Sequence, residues 1–180
     1  MKYKKLTGII LKKQNYREAD QIVSVWSREA GKIRVLARSL RKPASKLNYA
    51  MQDLSEVEIF VAGNHLPTLI GAKPIRQFKS LVQDLKKTAI AFYASELMLK
   101  MTADEHPNPP AYDLLSDFLG KLEEQSAVND YFLIDGFALG LASVLGFGSP
   151  KKSNSHIDVN RFIEYIIERN VKSEPFLISV

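Results

Sequence analysis

The hydrophobic pattern changes period once along the chain, near residue 79. Before that point it is short and strand-like. Tyr3 to Lys13 forms one run with Leu6, Ile9, Ile10 and Leu11, and Gly8 interrupts it where a small barrel needs a bulge or sharp bend. After the loop QNYREAD come QIVSVWS at 21–27 and KIRVLAR at 32–38, joined by REAG, whose terminal glycine suits a hairpin. LSEVEIFVA at 54–62 alternates apolar and acidic positions, Gly63-Asn64 turns the chain, and LPTLIGAKPI at 66–75 makes a fifth extended run. Pro67 and Pro74 belong at strand ends or edges, because proline donates nothing to a ladder. Five short strands, with an irregular or helical insert between Leu47 and Asp53, predict an OB-type β-barrel rather than a sandwich.

After residue 79 the period becomes helical. SLVQDLKKTAIAFYASELMLKM puts Val82, Leu85, Ala89, Phe92, Tyr93, Leu97 and Met101 on one face and predicts one long amphipathic helix. HPNPP at 106–110 ends it, with Pro109-Pro110 as an extended connector. A second helix from Tyr112 to Glu124 turns Leu115, Phe118, Leu119 and Leu122 inward. A third, Val128 to Leu145, is apolar nearly all round and predicts the central buried helix of a bundle, with Gly136 and Gly140 allowing close packing. GFGSPKKSNS reads as a surface loop. A last helix starts at Asp158 as N-cap with Phe162, Ile163, Ile166 and Ile167 as its stripe, and VKSEPFLISV packs back or frays. The expected architecture is β then α in two domains: a five-stranded OB-type barrel over 1–78 and an all-helical domain over 79–180.

Charge separates the same two halves. Residues 1–50 hold 13 Lys and Arg against 3 Asp and Glu, whereas residues 51–180 hold 12 against 17, giving the chain its net +5. Cations gathered in this way raise the local potential and gain by displacing counterions from phosphate, so the first half is expected to face a polyanion. Other classes recede. No run of about 18 apolar residues suggests a membrane span, and MKYKK lacks the apolar stretch of a secretory signal, so a cytoplasmic protein is expected. Cysteine is absent, which removes disulfides, thiol catalysis and thiolate zinc sites, and His65, His106 and His156 are too scattered for a metal motif. No metal and no cofactor is expected.

The basic stretch GKIRVLARSLRKPASK carries the candidate chemistry. A period of two places Lys32, Arg34, Leu36 and Arg38 on one face of the third strand and Ile33, Val35 and Ala37 on the core face. Cations two residues apart on a strand lie about 7 Å from one another, close to the phosphate spacing of a nucleic-acid strand. Arg41, Lys42 and Lys46 continue the row into the loop. OB barrels bind oligonucleotides on the second and third strands and the adjacent loops, where this charge falls. Aromatic platforms for base stacking are fewer: Tyr16 in the loop KKQNYR is an exposed candidate, whereas Trp26 on the second strand and Tyr49 are candidates at positions where such a residue more often belongs to the core. Phosphate-loop, dinucleotide, zinc-protease and serine-hydrolase motifs are all missing, and Glu56 and Glu58 read as the solvated face of a strand, so no enzyme is expected.

The order of these features resembles the RecO recombination mediator proteins of bacteria. The resemblance rests on GIILKKQNYREADQIVSVWSREAGKIRVLARSLRKPASKL, and continues through YASELMLKMTADEHPNPPAYDLLSDFLGKLEE and FALGLASVLGF. It implies an OB domain followed by a helical domain. It further implies a non-catalytic DNA repair and recombination mediator that binds single- and double-stranded DNA, anneals complementary strands, and works with a RecR-type protein and the C-terminal tail of single-strand binding protein to load recombinase at gaps, in a nucleoid-associated cytoplasmic setting. On that resemblance Lys32, Arg34, Arg38, Arg41, Lys42 and Lys46 are DNA contacts, supplemented by Lys12, Lys13 and Arg17.

Three features depart from the family pattern. The four-cysteine zinc module that many members carry is absent, because GFGSPKKSNSHIDVNRF passes almost directly to the last helix. Ser39 stands where the family often has glycine. The helical half is net acidic, so docking the acidic tail of single-strand binding protein calls for a local basic pocket, for which Lys86, Lys87 and Lys100 are the candidates. Two rival readings remain at this stage: a protein-interaction adaptor whose helical bundle carries the function, and an RNA-binding OB protein.

Overall fold

The structure is a computed structural model that describes residues 3–125, 130–150 and 155–168. The expectations for Val128, for Lys151 to Asn154 of the surface loop and for VKSEPFLISV fall outside the described residues. The chain divides into two compact units: the first runs to Gln77 and also takes in Ala103–Pro109, and the second comprises Phe78–Thr102 and the chain from Pro110 onward. The pattern reads 103–109 only as a helix stop and connector, whereas it returns to the barrel unit. The reason is a backbone contact: Glu105 N–H donates to the Lys32 carbonyl at 2.9 Å, and Lys32 and Asp104 form a parallel bridge.

Five strands build the first unit: β1 (Tyr3–Tyr16), β2 (Asp20–Ser27), β3 (Gly31–Ala37), β4 (Glu56–Ala62) and β5 (Thr68–Arg76). They close into a barrel in the order β1-β2-β3-β5-β4. β1 is long because it serves two neighbours, pairing with β4 from Tyr3 to Ile9 and with β2 from Gly8 to Tyr16. Gly8 belongs to both ladders, and a Cβ there would lie 2.3 Å from a Val25 methyl and 3.1 Å from the Trp26 carbonyl oxygen. Close approach therefore explains this glycine. The bulge falls three residues later than expected, between Ile10 and Lys12, where the register shifts. Alternate residues fill the interior, among them Ile10, Val23, Val25, Val35, Val57 and Ile59, with Leu40 and Met51 added from the β3–β4 connection. That connection is a series of turns rather than a helix.

Five helices form the second unit: α1 (Lys79–Gln83), α2 (Leu85–Met101), α3 (Pro109–Glu124), α4 (Asp130–Val144) and α5 (His156–Ile167). The single long helix expected from residue 80 is broken at Asp84, whose extended backbone frees its carboxylate to accept from Lys86 N–H at 2.9 Å and Lys87 N–H at 3.1 Å. An aspartate that satisfies two amides without a partner in the ladder favours a new N-terminus over continuation. Leu85 is 70% exposed and Val82 and Phe92 are exposed as well, whereas Tyr93, Leu97 and Met101 of the expected face are buried, joined by Ile90 and Ala94.

Three further expectations change. Pro109 and Pro110 begin α3 rather than forming a connector, since the first helical positions need no amide donor and proline presets their φ. Leu115, Phe118, Leu119 and Leu122 are buried on that helix as the period requires. α4 is not enclosed on all sides: Ile134, Phe137, Ala138 and Leu141 are buried while Phe132 is 77% exposed. α5 starts three residues earlier than expected, because Ser155 rather than Asp158 supplies the N-cap and Asp158 falls in the first turn. Of the paired glycines on α4, only Gly140 is approached by a neighbour, Leu114, and Gly136 faces open space.

A directional hydrogen-bond chain ties α2, α4 and α5. Tyr93 Oη donates to Asn160 Oδ1 at 3.2 Å, Asn160 Nδ2 lies 2.9 Å from His156 Nε2, and His156 Nδ1 lies 2.6 Å from Asp135 Oδ1. The roles are consistent with a neutral imidazole that donates to the carboxylate and accepts from the amide. Asn160 is buried, so Asn160→Ala, which deletes the link between the Tyr93 hydroxyl and the imidazole, should destabilise the protein by about 1–3 kcal/mol in urea denaturation. The glycines give a contrasting pair. Gly31 has φ +70° and a Cβ there would sit 2.3 Å from the His106 carbonyl oxygen, so Gly31→Ala should cost about 2 kcal/mol or more. Gly136→Ala should instead raise stability by about 0.5–1 kcal/mol, since open space leaves only helix propensity to act.

Candidate nucleic-acid interface

Antiparallel register fixes which cations share a face. Arg34 is opposite Ser24, and Ser24 is opposite Lys12, so Arg34 and Lys12 point to the same outer side of the barrel with one strand between them. Two strand spacings separate them by about 10 Å. Along β3, Val35 and Ala37 are buried while Arg34 and, beyond the strand, Arg38 are exposed, as the alternation requires. Arg41, Lys42 and Lys46 are exposed in the loop. Apart from a hydrogen bond to a carbonyl made by Arg41, none of these arginines and lysines is paired within the described residues, so each can meet an anion without first breaking an ion pair.

The loop is held in place by the β1–β2 turn. Asp20 Oδ1 accepts from the Ser39 amide at 2.8 Å, the Ala19 carbonyl accepts from the Arg41 amide at 3.1 Å, and the Glu18 carbonyl accepts from the Arg41 guanidinium at 3.1 Å. Arg17 on the turn and Ser39 on the loop both have φ +53°. Ser39 thus adopts the left-handed conformation that glycine takes without strain. The physical role of Asp20 was not legible beforehand. Its spacing within YREAD marks a turn, but only the folded chain brings that turn against residues 39–41.

Two predicted lysines have structural duties. Lys13 has a side chain only 17% exposed, pairs with Asp53 at 3.1 Å and donates to the Met51 carbonyl at 3.1 Å. It secures the end of the β3–β4 connection and is not free to meet phosphate. Lys32 is 13% exposed and lies 3.3 Å from Asp104, which offsets its charge at the end of the row. Lys12 and Arg17 are exposed, and the Arg17 guanidinium lies 5.2 Å from the centroid of the Tyr16 ring. Tyr16 is partly exposed and keeps a stacking surface. Trp26 does not: at 1% exposure its ring is enclosed, and its Nε1 has no hydrogen-bond partner among the described residues. Tyr49, 66% exposed and three residues after Lys46, is the better platform.

In the helical unit the three lysines considered for an acidic peptide do not form a pocket. Lys87 is buried and donates to the Glu123 carbonyl at 3.0 Å, and Lys100 pairs with Glu96 at 2.7 Å one helical turn away. Lys86 alone is exposed. Among the described residues no group of three or more metal-ligating side chains occurs, and no helix is long and apolar enough to cross a membrane.

Comparison with known proteins gives this arrangement a family. Residues 1–78 match the family model described as Recombination protein O N terminal, and residues 82–154 match Recombination protein O C terminal. Among curated relatives, the DNA repair protein RecO of Listeria welshimeri is 39% identical over 121 residues, covering 67% of this chain and 48% of the relative. The DNA repair protein RecO of Listeria monocytogenes serotype 4b is 36% identical over 143 residues, covering 79% and 55%. That of Dehalococcoides mccartyi is 34% identical over 123 residues, covering 68% and 49%. The chain spans about half the length of the curated relatives it matches. With both domain models matched in order, and a five-stranded unit followed by helices as they require, the chain belongs to the RecO family of DNA repair proteins.

Proposed function

We propose that this chain binds single- and double-stranded DNA through the outer face of β2–β3 and the latched loop, and that it anneals complementary strands without catalysing a reaction of its own. The observation that carries this reading is the set of exposed, unpaired cations Arg34, Arg38, Lys42 and Lys46, held with Arg41 on a strand and a loop that the Asp20 carboxylate fixes in place. In annealing, base pairing between the strands supplies the sequence specificity. The protein need only neutralise phosphate and keep two strands close, which a preset cationic row does at low entropic cost. Lys12 and Arg17 widen the row, and Tyr16 and Tyr49 supply stacking surfaces beside it. A mediator role at DNA gaps, with a RecR-type protein and single-strand binding protein as partners in the cytoplasm and nucleoid, extends the same reading to the cellular setting.

Salt dependence is the direct test. Replacing Arg38, Arg41 and Lys42 together with Gln should reduce the slope of log affinity against log salt by about 2 for single-stranded DNA, at about 0.7 per phosphate contact, and slow annealing of complementary oligonucleotides coated with single-strand binding protein. An unchanged slope would remove these residues from the interface, and a clear preference for RNA over a matched DNA strand would overturn the DNA assignment. The latch has a different signature. Asp20→Ala deletes a charged acceptor and keeps every cation, so it should weaken DNA binding several-fold with the salt slope nearly intact, alongside a stability loss of about 1.5–3 kcal/mol.

A further inference from the structure

β3 is covered along its outer edge at two points and open between them. At Lys32 the cover is Asp104 and Glu105, and at Leu36 it is Pro67 and Thr68, with Leu36 N–H donating to the Pro67 carbonyl at 2.9 Å. At Arg34 these two segments part, and a cavity of about 460 Å³ opens in the barrel wall. Its size falls within the range of about 300–1,000 Å³ typical of small-ligand pockets. Leu6, Ile33 and Val61 bring apolar surface from three strands, and Pro67 and Pro107 add apolar walls from the two covering segments.

The charged groups identify the ligand class. Lys4, Lys32 and Arg34 line the cavity together with Glu29, Asp104 and Glu105, an even balance that would repel a polyanion as much as attract it. Glu29 spends Oε2 on the Thr7 amide and the Ser27 hydroxyl, and Asp104 is paired with Lys32. The side chains of Arg34, Asn64 and Glu105 have no hydrogen-bond partner among the described residues. They offer, in turn, donors only, both donors and an acceptor, and acceptors only. A flat, neutral molecule with apolar faces and an edge carrying both donors and acceptors satisfies all three, and a nucleobase is such a molecule.

We infer that this cavity receives one unstacked base of a bound single strand. The inference rests on the DNA-binding reading and deepens it: Arg34 belongs both to the cationic row and to the cavity lining, so a strand whose phosphates follow the row presents a base at the opening. Guanine fits best, with its N1–H and 2-amino group toward the Glu105 carboxylate and O6 toward the Arg34 guanidinium. Duplex DNA keeps its bases stacked and leaves the cavity empty, so the pocket favours single strands over duplex.

The test uses amide resonances of the full chain titrated with a mixed-sequence single strand of about a dozen nucleotides, and with an abasic deoxyribose-phosphate strand of the same length. Both strands should shift Arg38, Arg41 and Lys42, whereas only the base-bearing strand should shift Ile33, Asn64 and Glu105. Its affinity should exceed that of the abasic strand on the order of tenfold. If the loop amides move with both strands while the cavity amides stay fixed, the base pocket is overturned and the phosphate interface stands. If neither set moves with either strand, the DNA-binding reading fails and the pocket with it. Glu105→Gln separates base-edge recognition from simple apolar filling: it should lower the affinity for guanine-containing strands and leave the abasic strand unaffected.

Discussion

Closure of the barrel through β3 and β5 is the constraint from which the rest of the first unit follows. The two strands run parallel and share a single paired position, Leu36 with Thr68. Parallel neighbours cannot be joined by a hairpin, so the chain must leave β3, cross, form β4 and return. The crossing is the long basic connection from Arg38 to Ser55, and its length is what allows it to carry Arg41, Lys42 and Lys46 beyond the barrel wall. The same short closure leaves most of the β3 edge without a strand, and residues 103–105 cover one part of it while Arg34 stays open. The basic loop and the cavity are therefore two results of one closure.

Electrostatics then divides the basic residues by task. Cations near the core of the unit are spent on the fold: Lys13 on Asp53 and the Met51 carbonyl, Lys32 on Asp104. Those farther along the row are free of ion pairs, and the loop that bears them is fixed to the β1–β2 turn by the Ser39 and Arg41 amides, with one further bond from the Arg41 guanidinium to a carbonyl. A charged loop held by its backbone keeps its guanidinium groups solvated and available, whereas one held by salt bridges would have to break them to meet DNA. The helical unit follows a different logic. Lys87 and Lys100 are tied to a carbonyl and a carboxylate within that unit, and the Tyr93–Asn160–His156–Asp135 chain fixes three of its helices by polar contacts that only one arrangement satisfies.

Which cations of β3 face outward was legible in the sequence, and how each is held was not. Alternation in KIRVLAR separates Arg34 from Val35 because a strand has period two and one side must be buried. The same rule says nothing of how much room a side chain keeps. Trp26 has a strand position compatible with stacking, yet it is enclosed, and Lys13 looks like one more cation in a basic run, yet it faces Asp53 from forty residues away in the chain. Asp84 shows the same limit in the helices, where one well-placed cap outweighs an apolar periodicity that runs through it.

What the sequence determined alone is local and periodic: five strands and a run of helices, the change of period near residue 79, the concentration of charge before residue 50, and the motif order that marks the family. Each follows from propensity, burial on one face, or composition, and needs no knowledge of distant residues. Tertiary structure decided the rest. It set the pairing of β3 with β5, the return of residues 103–109 to the barrel, the grip of Asp20 on Ser39 and the cavity at Arg34. All four bring together groups far apart in the chain, and such contacts depend on how the barrel closes rather than on the pattern of any one segment.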